Sequence, residues 1–208
     1  MSSRRLEESR KGIGSGLAFV VTGPSGAGKN SVIDRVMKEL PGLAFSVSYT
    51  TRPPRPGEID GVDYIYVSRA EFLRLIEKGD FIEHMTYLDD MYGTSRSQIE
   101  GIFAAGKDVI LNIDVEGAKS LHKTGLGKHT IVYVFLTPSS LDRLAERLRR
   151  RGSENEEEIK ERLCVAESEL KALSTFDYLV INDDFDTAVA ELSAIITAER
   201  LRIIQVPV

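Results

Sequence analysis

The chain has 208 residues, of which 42% are hydrophobic and 28% charged, and its formal net charge is −5. This length is enough for one well-buried α/β core with an appended lobe or two. The acidic balance argues against a protein that binds nucleic acid through a general basic surface.

Residues 1–16 are polar and basic and lack the apolar centre of a secretory signal, so we expect a flexible N-terminal tail. The alternative is that the basic side chains of this tail contact an anionic partner. No apolar run approaches the roughly 18 residues of a membrane span, so no membrane partner is expected. A single cysteine, Cys164, excludes an intrachain disulfide and favours a reducing, cytoplasmic setting.

The motif GPSGAGKNS, residues 23–31, follows the apolar run 17–21 and precedes an amphipathic helical pattern. Gly23, Gly28 and Lys29 fit the G-x-x-x-x-G-K pattern of a phosphate-binding loop, or P-loop. In that loop the backbone N–H groups of a strand-to-helix turn point at phosphates, and the lysine reaches their outer oxygens. The alternative is an ordinary glycine-rich turn.

The residue after the P-loop lysine departs from the pattern. That position is normally Ser or Thr, whose hydroxyl ligates magnesium, whereas this chain has Asn30. A carboxamide oxygen can still ligate a metal or hold a metal-bound water, and Ser31 offers a hydroxyl beside it. We predict Asn30 as the metal-facing residue, with retained but altered metal dependence.

A region rich in Thr, Tyr, Arg, Pro and Gly, residues 46–96, separates the first helical pattern from the next core strand. Short strand patterns at 46–51, 64–67 and 81–85 and one helix pattern at 69–78 indicate an inserted small lobe of mixed strands.

Within this lobe, residues 48–58 (SYTTRPPRPGE) concentrate hydroxyls, two arginines and three prolines. The prolines restrict the backbone, and two guanidinium groups can each fork onto phosphate oxygens. A second phosphate-bearing ligand is one interpretation; a solvent-exposed basic turn paired with Glu58 and Asp60 is the other. Because the chain also has a P-loop, two phosphate sites favour phosphoryl transfer.

Continuously apolar runs at 108–113, 130–136 and 178–181 alternate with helical patterns, the last of which covers 186–203. Such runs are typical of strands buried on both faces. We therefore predict an α/β fold with a mainly parallel core sheet flanked by helices.

The segment 139–163 reads as two helices broken at Gly152, with Ser153 as N-cap and Glu156 at capping-box spacing. It is charged nearly all round, and helices without a broad apolar stripe rarely pack deep in a core. We expect a projecting helical lid.

Together these motifs resemble guanylate kinases: GPSGAGK, SYTTRPPRPGE, GVDYIYV, FIE, YGT, NIDVEGAK, RLRRRGSE and VINDD fall in that family's order, between residues 18 and 202. The resemblance implies a P-loop kinase that transfers the γ-phosphoryl of ATP to GMP, with magnesium as cofactor. It implies a single guanylate kinase-like domain. Its parts are the tail (1–16), core with the P-loop (17–45), GMP-binding lobe (46–96), core (97–138), lid (139–163) and core (164–208).

The resemblance also assigns roles to residues. The ATP-binding residues are Gly23, Pro24, Ser25, Gly26, Ala27, Gly28, Lys29, Asn30 and Ser31. The GMP-binding residues are Ser48, Arg52, Arg55, Tyr64 and Tyr92 for the phosphate and Glu83, Thr94 and Asp114 for the base. The catalytic residues are Lys29, Arg52, Arg147, Arg151 and Arg162, and the lid arginines would converge on the transferring phosphoryl. The chemistry agrees, because a carboxylate accepts from guanine N1–H and the 2-amino group, whereas adenine N1 carries no proton.

Two other positions qualify the resemblance. Guanylate kinases usually carry Asp where this chain has Asn112, so a carboxylate near the metal is replaced. Asn182 and Asp183 match positions near the adenine side of the family's donor pocket; the alternative is a strand-end turn.

Three other functions remain as alternatives. A catalytically inactive binding module of the same fold is disfavoured by Lys29 and the lid arginines, and a kinase for a phosphorylated sugar by the guanine-reading set. A GTPase switch would leave the lid and the second anion site without a task. The expected partners are ATP and GMP, with neither nucleic acid nor membrane, and the chain is expected to be a monomer or a homodimer.

Overall fold

The computed structural model describes residues 16–87, 89–152 and 154–202, apart from the Tyr87 side chain. The strands are β1 (Ala18–Thr22), β2 (Leu43–Phe45), β3 (Tyr49–Thr50), β4 (Ile65–Tyr66), β5 (Phe81–Tyr87), β6 (Asp90–Ser95), β7 (Asp108–Asn112), β8 (Ile131–Thr137) and β9 (Tyr178–Ile181). The helices are α1 (Lys29–Glu39), α2 (Arg69–Glu77), α3 (Arg96–Ala104), α4 (Val115–Thr124), α5 (Leu141–Arg151), α6 (Glu156–Leu170) and α7 (Phe185–Leu201).

The core sheet has five parallel strands in the order β2-β7-β1-β8-β9. Its central strand, β1, is buried along its whole length. Phe19 and Val21 pack on one face in a cluster with residues of α1 and α7, while Ala18 and Val20 pack on the other with residues of α3 and α4. The sheet is covered on both faces, which explains its continuously apolar strands. The predicted fold class is confirmed.

Strands of a parallel sheet all end at the same edge, and in α/β proteins ligands bind outside that edge. The P-loop segment follows β1, and Asn112 is the last residue of β7. Asn182 comes directly after β9. The topology therefore collects residues that lie far apart in the sequence at one edge.

The second sheet, with the order β4-β3-β6-β5, is mixed. Strands β3 and β4 are parallel, whereas β6 is antiparallel to both β3 and β5. Under it, the rings of Phe72 and Phe81 stack with centroids 4.5 Å apart. Strands β3 and β4 are shorter than the predicted runs 46–51 and 64–67. Neither β6 nor β2, the edge strand of the core sheet, was predicted.

Helices α5 and α6 pack against each other through their own apolar cluster. Leu144 and Leu148 of α5 are fully buried with Ile159 of α6, so the expectation of a segment charged nearly all round was wrong. Helix α5 ends at Arg151, and its C-cap, Gly152, has the left-handed backbone conformation that favours glycine at a helix end. The predicted break at Gly152 is therefore present.

The predicted start of the second lid helix was also wrong. Ser153 lies outside the described residues, and the N-cap of α6 is Asn155, two residues later. Its side chain accepts from the backbone of Glu158, whose carboxylate accepts in return from the N–H of Asn155. This reciprocal pair makes the capping box.

The predicted tail, apart from Gly16, also lies outside the described residues. Across residues 16–87, 89–152 and 154–202, no helix has both the length and the apolar character needed to cross a membrane.

Candidate active site

The turn between β1 and α1 has the backbone of a phosphate-binding loop. Gly23, Gly26 and Gly28 all have positive φ, and a Cβ on Gly23 would lie 2.0 Å from the carbonyl oxygen of Leu136. Only glycine fits there. Helix α1 begins directly after Gly28, and among the described residues no side chain caps it. The first-turn N–H groups therefore form a suitable site for an anion.

Lys29 folds back over this loop. Its ammonium donates to the carbonyl oxygens of Gly23 at 2.6 Å and Pro24 at 3.1 Å. Burial lowers the pKa of Lys29 to about 8, against the opposing effect of the Glu169 and Asp114 carboxylates. A phosphate at the loop would favour the charged ammonium and replace the backbone carbonyls as its partner.

Asn30 and Asn112, the two departures from the expected magnesium environment, contact each other. The Nδ2 of Asn112 donates to the Oδ1 of Asn30 at 2.5 Å. Carboxamide oxygens are hard donors of the kind that magnesium accepts. Magnesium also keeps several waters and takes further ligands from substrate phosphates. The residues present therefore fit a magnesium ion that is carried by a nucleotide.

Helices α5 and α6 lie directly on the P-loop. A Cβ on Gly26 would lie 2.8 Å from a methyl group of Leu148. Arg147 donates to the Ala27 carbonyl oxygen at 3.1 Å, and Arg162 donates to the Ser25 hydroxyl at 2.7 Å. Two of the three predicted lid arginines thus reach the loop.

Arg151 is the exception, because it is exposed in the last turn of α5 and none of the described contacts ties it to the loop. Asn182, by contrast, is buried, and its amide donates to the Ala27 carbonyl oxygen at 2.7 Å. Its backbone carbonyl accepts a hydrogen bond from Arg147. Asn182 thereby links the end of β9, the P-loop and the lid.

In the lobe, Arg52 lies in a cluster of carboxylate and aromatic side chains. Its guanidinium pairs with Glu58 at 2.8 Å and lies over the rings of Tyr64 and Tyr66, 5.4 and 5.9 Å from their centroids. The Tyr64 ring in turn meets that of Tyr92 at 6.0 Å.

Glu58 is the hub of this cluster. Its carboxylate accepts from the guanidinium of Arg52, the backbone N–H of Arg55 at 2.6 Å and the hydroxyl of Tyr66 at 2.7 Å. These donors, Arg52 first, lower the pKa of Glu58 to about 2. The sequence alternative of a turn paired with Glu58 is thus correct for Arg52, yet the pair is largely buried rather than solvated.

The other two predicted phosphate-binding residues of the lobe are less enclosed. Arg55 is exposed, and only its backbone joins the cluster. Ser48 is half-buried and holds β4 through its carbonyl oxygen, which accepts from Ile65 at 2.9 Å.

Glu83 and Thr94 are paired across β5 and β6, so their side chains share a face of the second sheet. The Thr94 hydroxyl donates to the Glu83 carboxylate at 2.5 Å, and both residues are buried. Burial raises the pKa of Glu83 to about 7, against the opposing effect of the Thr94 hydrogen bond and with a smaller contribution from the nearby Asp114 carboxylate.

Asp114 caps α4, where its carboxylate accepts from the Gly117 N–H at 2.6 Å. A Cβ on Gly117 would lie 2.9 Å from the Glu83 carboxylate and 3.1 Å from that of Asp114. Because Gly117 has no side chain, the carboxylates of Glu83 and Asp114 can approach each other. Burial is also the main reason that the pKa of Asp114 is raised.

A protein-family model for guanylate kinase matches residues 16–199, most of the chain. The chain belongs to the guanylate kinase family. The guanylate kinase of Alkalilimnicola ehrlichii is 44% identical over 188 residues, which are 90% of this chain and 91% of the relative. That of Symbiobacterium thermophilum is also 44% identical, over 190 residues, covering 91% and 89%. A solved structure, the guanylate kinase from Anaplasma phagocytophilum, matches with a TM-score of 0.74 at 29% identity, covering 91% of this chain and 88% of that one.

In this member of the guanylate kinase family, Gly117, Glu169 and Tyr66 had no predicted role at the site, and Glu58 was predicted only as an ion-pair partner in an exposed turn. Their signals were weak, since a glycine in a helix and a tyrosine on a short strand are common. Only the three-dimensional contacts distinguish them.

Proposed function

We propose that this protein transfers the γ-phosphoryl of ATP to GMP and gives ADP and GDP. Asp114 carries the proposal, because its carboxylate meets that of the buried Glu83 at Gly117, and because it follows β7, the strand beside β1 and its P-loop. A triphosphate-binding loop and a pair of carboxylates suited to guanine therefore lie close together. Phosphoryl transfer needs this proximity between donor and acceptor sites.

On the donor side, residues 23–31 would hold the triphosphate through their backbone N–H groups. Lys29 would move from the carbonyl oxygens of Gly23 and Pro24 to the outer phosphates. Magnesium, when bound beside Asn30, would neutralise charge on the donor phosphates. Arg147 and Arg162 already lie on the loop, and Arg151 is one helical turn from Arg147. These guanidinium groups would neutralise the transferring phosphoryl and exclude water.

On the acceptor side, we propose that the GMP phosphate binds to guanidinium and hydroxyl groups of the lobe. These belong to Ser48, Arg52, Arg55, Tyr64 and Tyr92. The Glu58 carboxylate holds Arg52 in place before the phosphate arrives. A phosphate oxygen is already a competent nucleophile, so no general base is assigned. Positioning and charge neutralisation supply the rate enhancement.

At the base, the Glu83 carboxylate would accept from guanine N1–H and the 2-amino group, with Thr94 and Asp114 beside it. Adenine would leave this buried carboxylate facing an acceptor nitrogen, and such a mismatch is rejected strongly. A phosphorylated sugar would bring no base to Glu83 and Asp114, which would keep only their present bonds from Thr94 and Gly117. The buried Glu83–Thr94 pair therefore favours the nucleotide over the sugar.

The test is ADP release from ATP and magnesium, measured by a coupled assay with GMP, AMP, CMP, UMP or a phosphorylated ribose as acceptor. We expect ADP release with GMP alone. The matched control is Lys29→Ala, which should lose turnover while GMP still binds. A folded protein that releases ADP with none of these acceptors would overturn the proposal in favour of a binding module.

A further inference from the structure

Tyr66, which has no part in the proposed reaction, lies beside the arginine that we assign to the GMP phosphate. Its hydroxyl donates to the Glu58 carboxylate at 2.7 Å, and the same carboxylate accepts from the Arg52 guanidinium at 2.8 Å. The two bonds use different oxygens. Oε1 of Glu58 faces Arg52, whereas Oε2 accepts from Tyr66 and from the backbone N–H of Arg55. Arg52 is therefore the partner of one oxygen, and Tyr66 helps to fix the other.

The hydroxyl of Tyr66 does not hold its strand in the fold. Strand β4 is tied to the neighbouring chain by the N–H groups of Ile65 and Val67, which donate to backbone carbonyl oxygens of residues 48–50 at 2.9 and 3.0 Å. The N–H of Tyr66 donates to the Asp60 carboxylate at 3.0 Å. On the side of β4, these bonds use only backbone groups, so they would remain if the hydroxyl were removed.

The guanidinium of Arg52 is confined on several sides. It pairs with Glu58, lies over the rings of Tyr64 and Tyr66, and donates from its second terminal nitrogen to the Pro53 carbonyl oxygen at 2.7 Å. A two-point bond to phosphate needs the planar guanidinium to face the anion, and ordering a long side chain during binding costs free energy. An arginine that is already oriented avoids this cost, and its orientation depends on Glu58 keeping its position.

We propose that Tyr66 is a positioning residue for the GMP phosphate, because its hydroxyl fixes the Glu58 carboxylate and thereby the orientation of the Arg52 guanidinium. The inference rests on the proposed function for the identity of the ligand. Tyr66 acts through Glu58 and needs no contact with the substrate. Without its hydroxyl, Oε2 of Glu58 would keep the N–H of Arg55, an exposed residue. The carboxylate could then turn, and Arg52 would be less ordered.

The test variant is Tyr66→Phe, which removes the hydroxyl and keeps the ring beside Arg52. The matched control is Tyr178→Phe, because the Tyr178 hydroxyl also donates to a carboxylate that is paired with an arginine. That carboxylate belongs to Glu199, which accepts from Arg202 at 2.6 Å at the C-terminal end of α7. Both variants lose the same kind of hydrogen bond, but only one of them loses it in the lobe. Thermal unfolding should show that both fold.

Two measurements are made on each protein. The first, without ligand, is the NMR order parameter of the Arg52 Nε–H group, which should fall in Tyr66→Phe. The second is the affinity for GMP and for guanosine, which has the same base and no phosphate. Tyr66→Phe should bind GMP about fivefold more weakly, as expected for one lost hydrogen bond, and guanosine as tightly as wild type. Tyr178→Phe should match wild type in all three values.

The route through Glu58 is tested by combining two substitutions. Glu58→Gln removes the charge that holds Arg52, so adding Tyr66→Phe to this variant should weaken GMP binding no further. Steady-state kinetics should agree. Tyr66→Phe alone should raise the Michaelis constant for GMP, with kcat and the Michaelis constant for ATP unchanged.

Three results would overturn the inference. They are equal order of Arg52 in wild type and Tyr66→Phe, an equal loss of guanosine and GMP binding, and effects of Tyr66→Phe and Glu58→Gln on GMP affinity that multiply. An equal loss of guanosine binding would mean that the hydroxyl supports the lobe as a whole. Failure of the proposed function would look different, because wild type would then bind no GMP while the order of Arg52 still depended on Tyr66.

Discussion

Glu83→Gln keeps the shape of the side chain and removes its charge, and it should make the free protein more stable at alkaline pH. Burial is the main cause that raises the pKa of the Glu83 carboxyl from its usual 4.5 to about 7 in the folded protein. Each pKa unit corresponds to about 1.4 kcal/mol, so holding the carboxylate ionised costs the folded state about 3 kcal/mol at pH 8.

The sign follows from proton binding. Between the two pKa values the folded state binds this proton more tightly than the unfolded chain does, so the penalty grows as the pH rises from 4.5 to 7. This penalty is complete above pH 7 and absent below pH 4.5. Glutamine has no such penalty, and its oxygen can still accept from Thr94.

The assay is urea unfolding of wild type and Glu83→Gln without nucleotides, at pH 8 and at pH 5. At pH 8 the free energy of unfolding of the variant should exceed that of wild type by up to about 3 kcal/mol, and the gap should narrow strongly at pH 5. Glu100→Gln, on the exposed side of α3, is the matched control and should leave stability unchanged at both values. A variant less stable than wild type at pH 8, or a stability difference that does not depend on pH, would show that burial does not penalise the Glu83 carboxylate.

Four further predictions concern catalysis. The apparent affinity of wild type for GMP should fall by about tenfold per pH unit below about pH 7, because protonated Glu83 cannot accept from guanine N1–H. Glu83→Gln should bind GMP weakly and should lack the part of the pH dependence that comes from Glu83. Identical pH profiles for the two proteins would contradict the role of Glu83. Glu58→Gln should raise the Michaelis constant for GMP by about tenfold with a smaller change in kcat, because it removes the ion pair that positions Arg52. An unchanged Michaelis constant in steady-state assays would show that Arg52 does not need this ion pair. Lys29→Ala should lower kcat by at least about 100-fold while GMP still binds in calorimetry, and near-normal turnover would exclude Lys29 from the reaction. Gly117→Ala should raise the Michaelis constant for GMP with little effect on that for ATP, because its Cβ would press on the Glu83 carboxylate; equal effects on both substrates would indicate general damage instead.

Four of the five core strands, all except β2, could be predicted from the sequence because their signals are local. The apolar run at β1 and the glycines of the P-loop sit side by side in the chain. Strand β6 was missed because its sequence, DMYGTS, is mostly polar and contains a glycine. That glycine, Gly93, is needed because a Cβ there would lie 2.9 Å from the Phe81 ring. Tertiary packing, rather than strand propensity, makes this segment a strand.

The apolar stripe of the lid was missed for a different reason. Leu141, Leu144 and Leu148 recur at helical spacing, but arginines and glutamates fill the positions between them and hide the pattern. The fully buried Leu144 and Leu148 fix the lid to α6 and to the P-loop at Gly26. Most of the charged residues of α5 lie on its solvent-exposed side, away from this apolar stripe.

Contacts between distant residues could not be predicted from local patterns at all. The sequence identified Asn30 and Asn112 as separate departures, and only the parallel pairing of β1 with β7 brings them within hydrogen-bond distance. The same holds for Asn182, which reaches the P-loop from the end of β9. Such contacts depend on topology, which decides what lies at the shared edge of the sheet.

A competition between nucleoside monophosphates tests directly whether the acceptor site selects guanine. The protein is incubated with magnesium and ATP labelled at the γ-phosphate, together with equal amounts of GMP, AMP, CMP and UMP, and the labelled products are separated by chromatography. We expect the label in GDP and in no other nucleoside diphosphate. Label transferred to AMP, CMP or UMP as readily as to GMP, or released only as inorganic phosphate, would contradict the guanine-reading role of Glu83, Thr94 and Asp114.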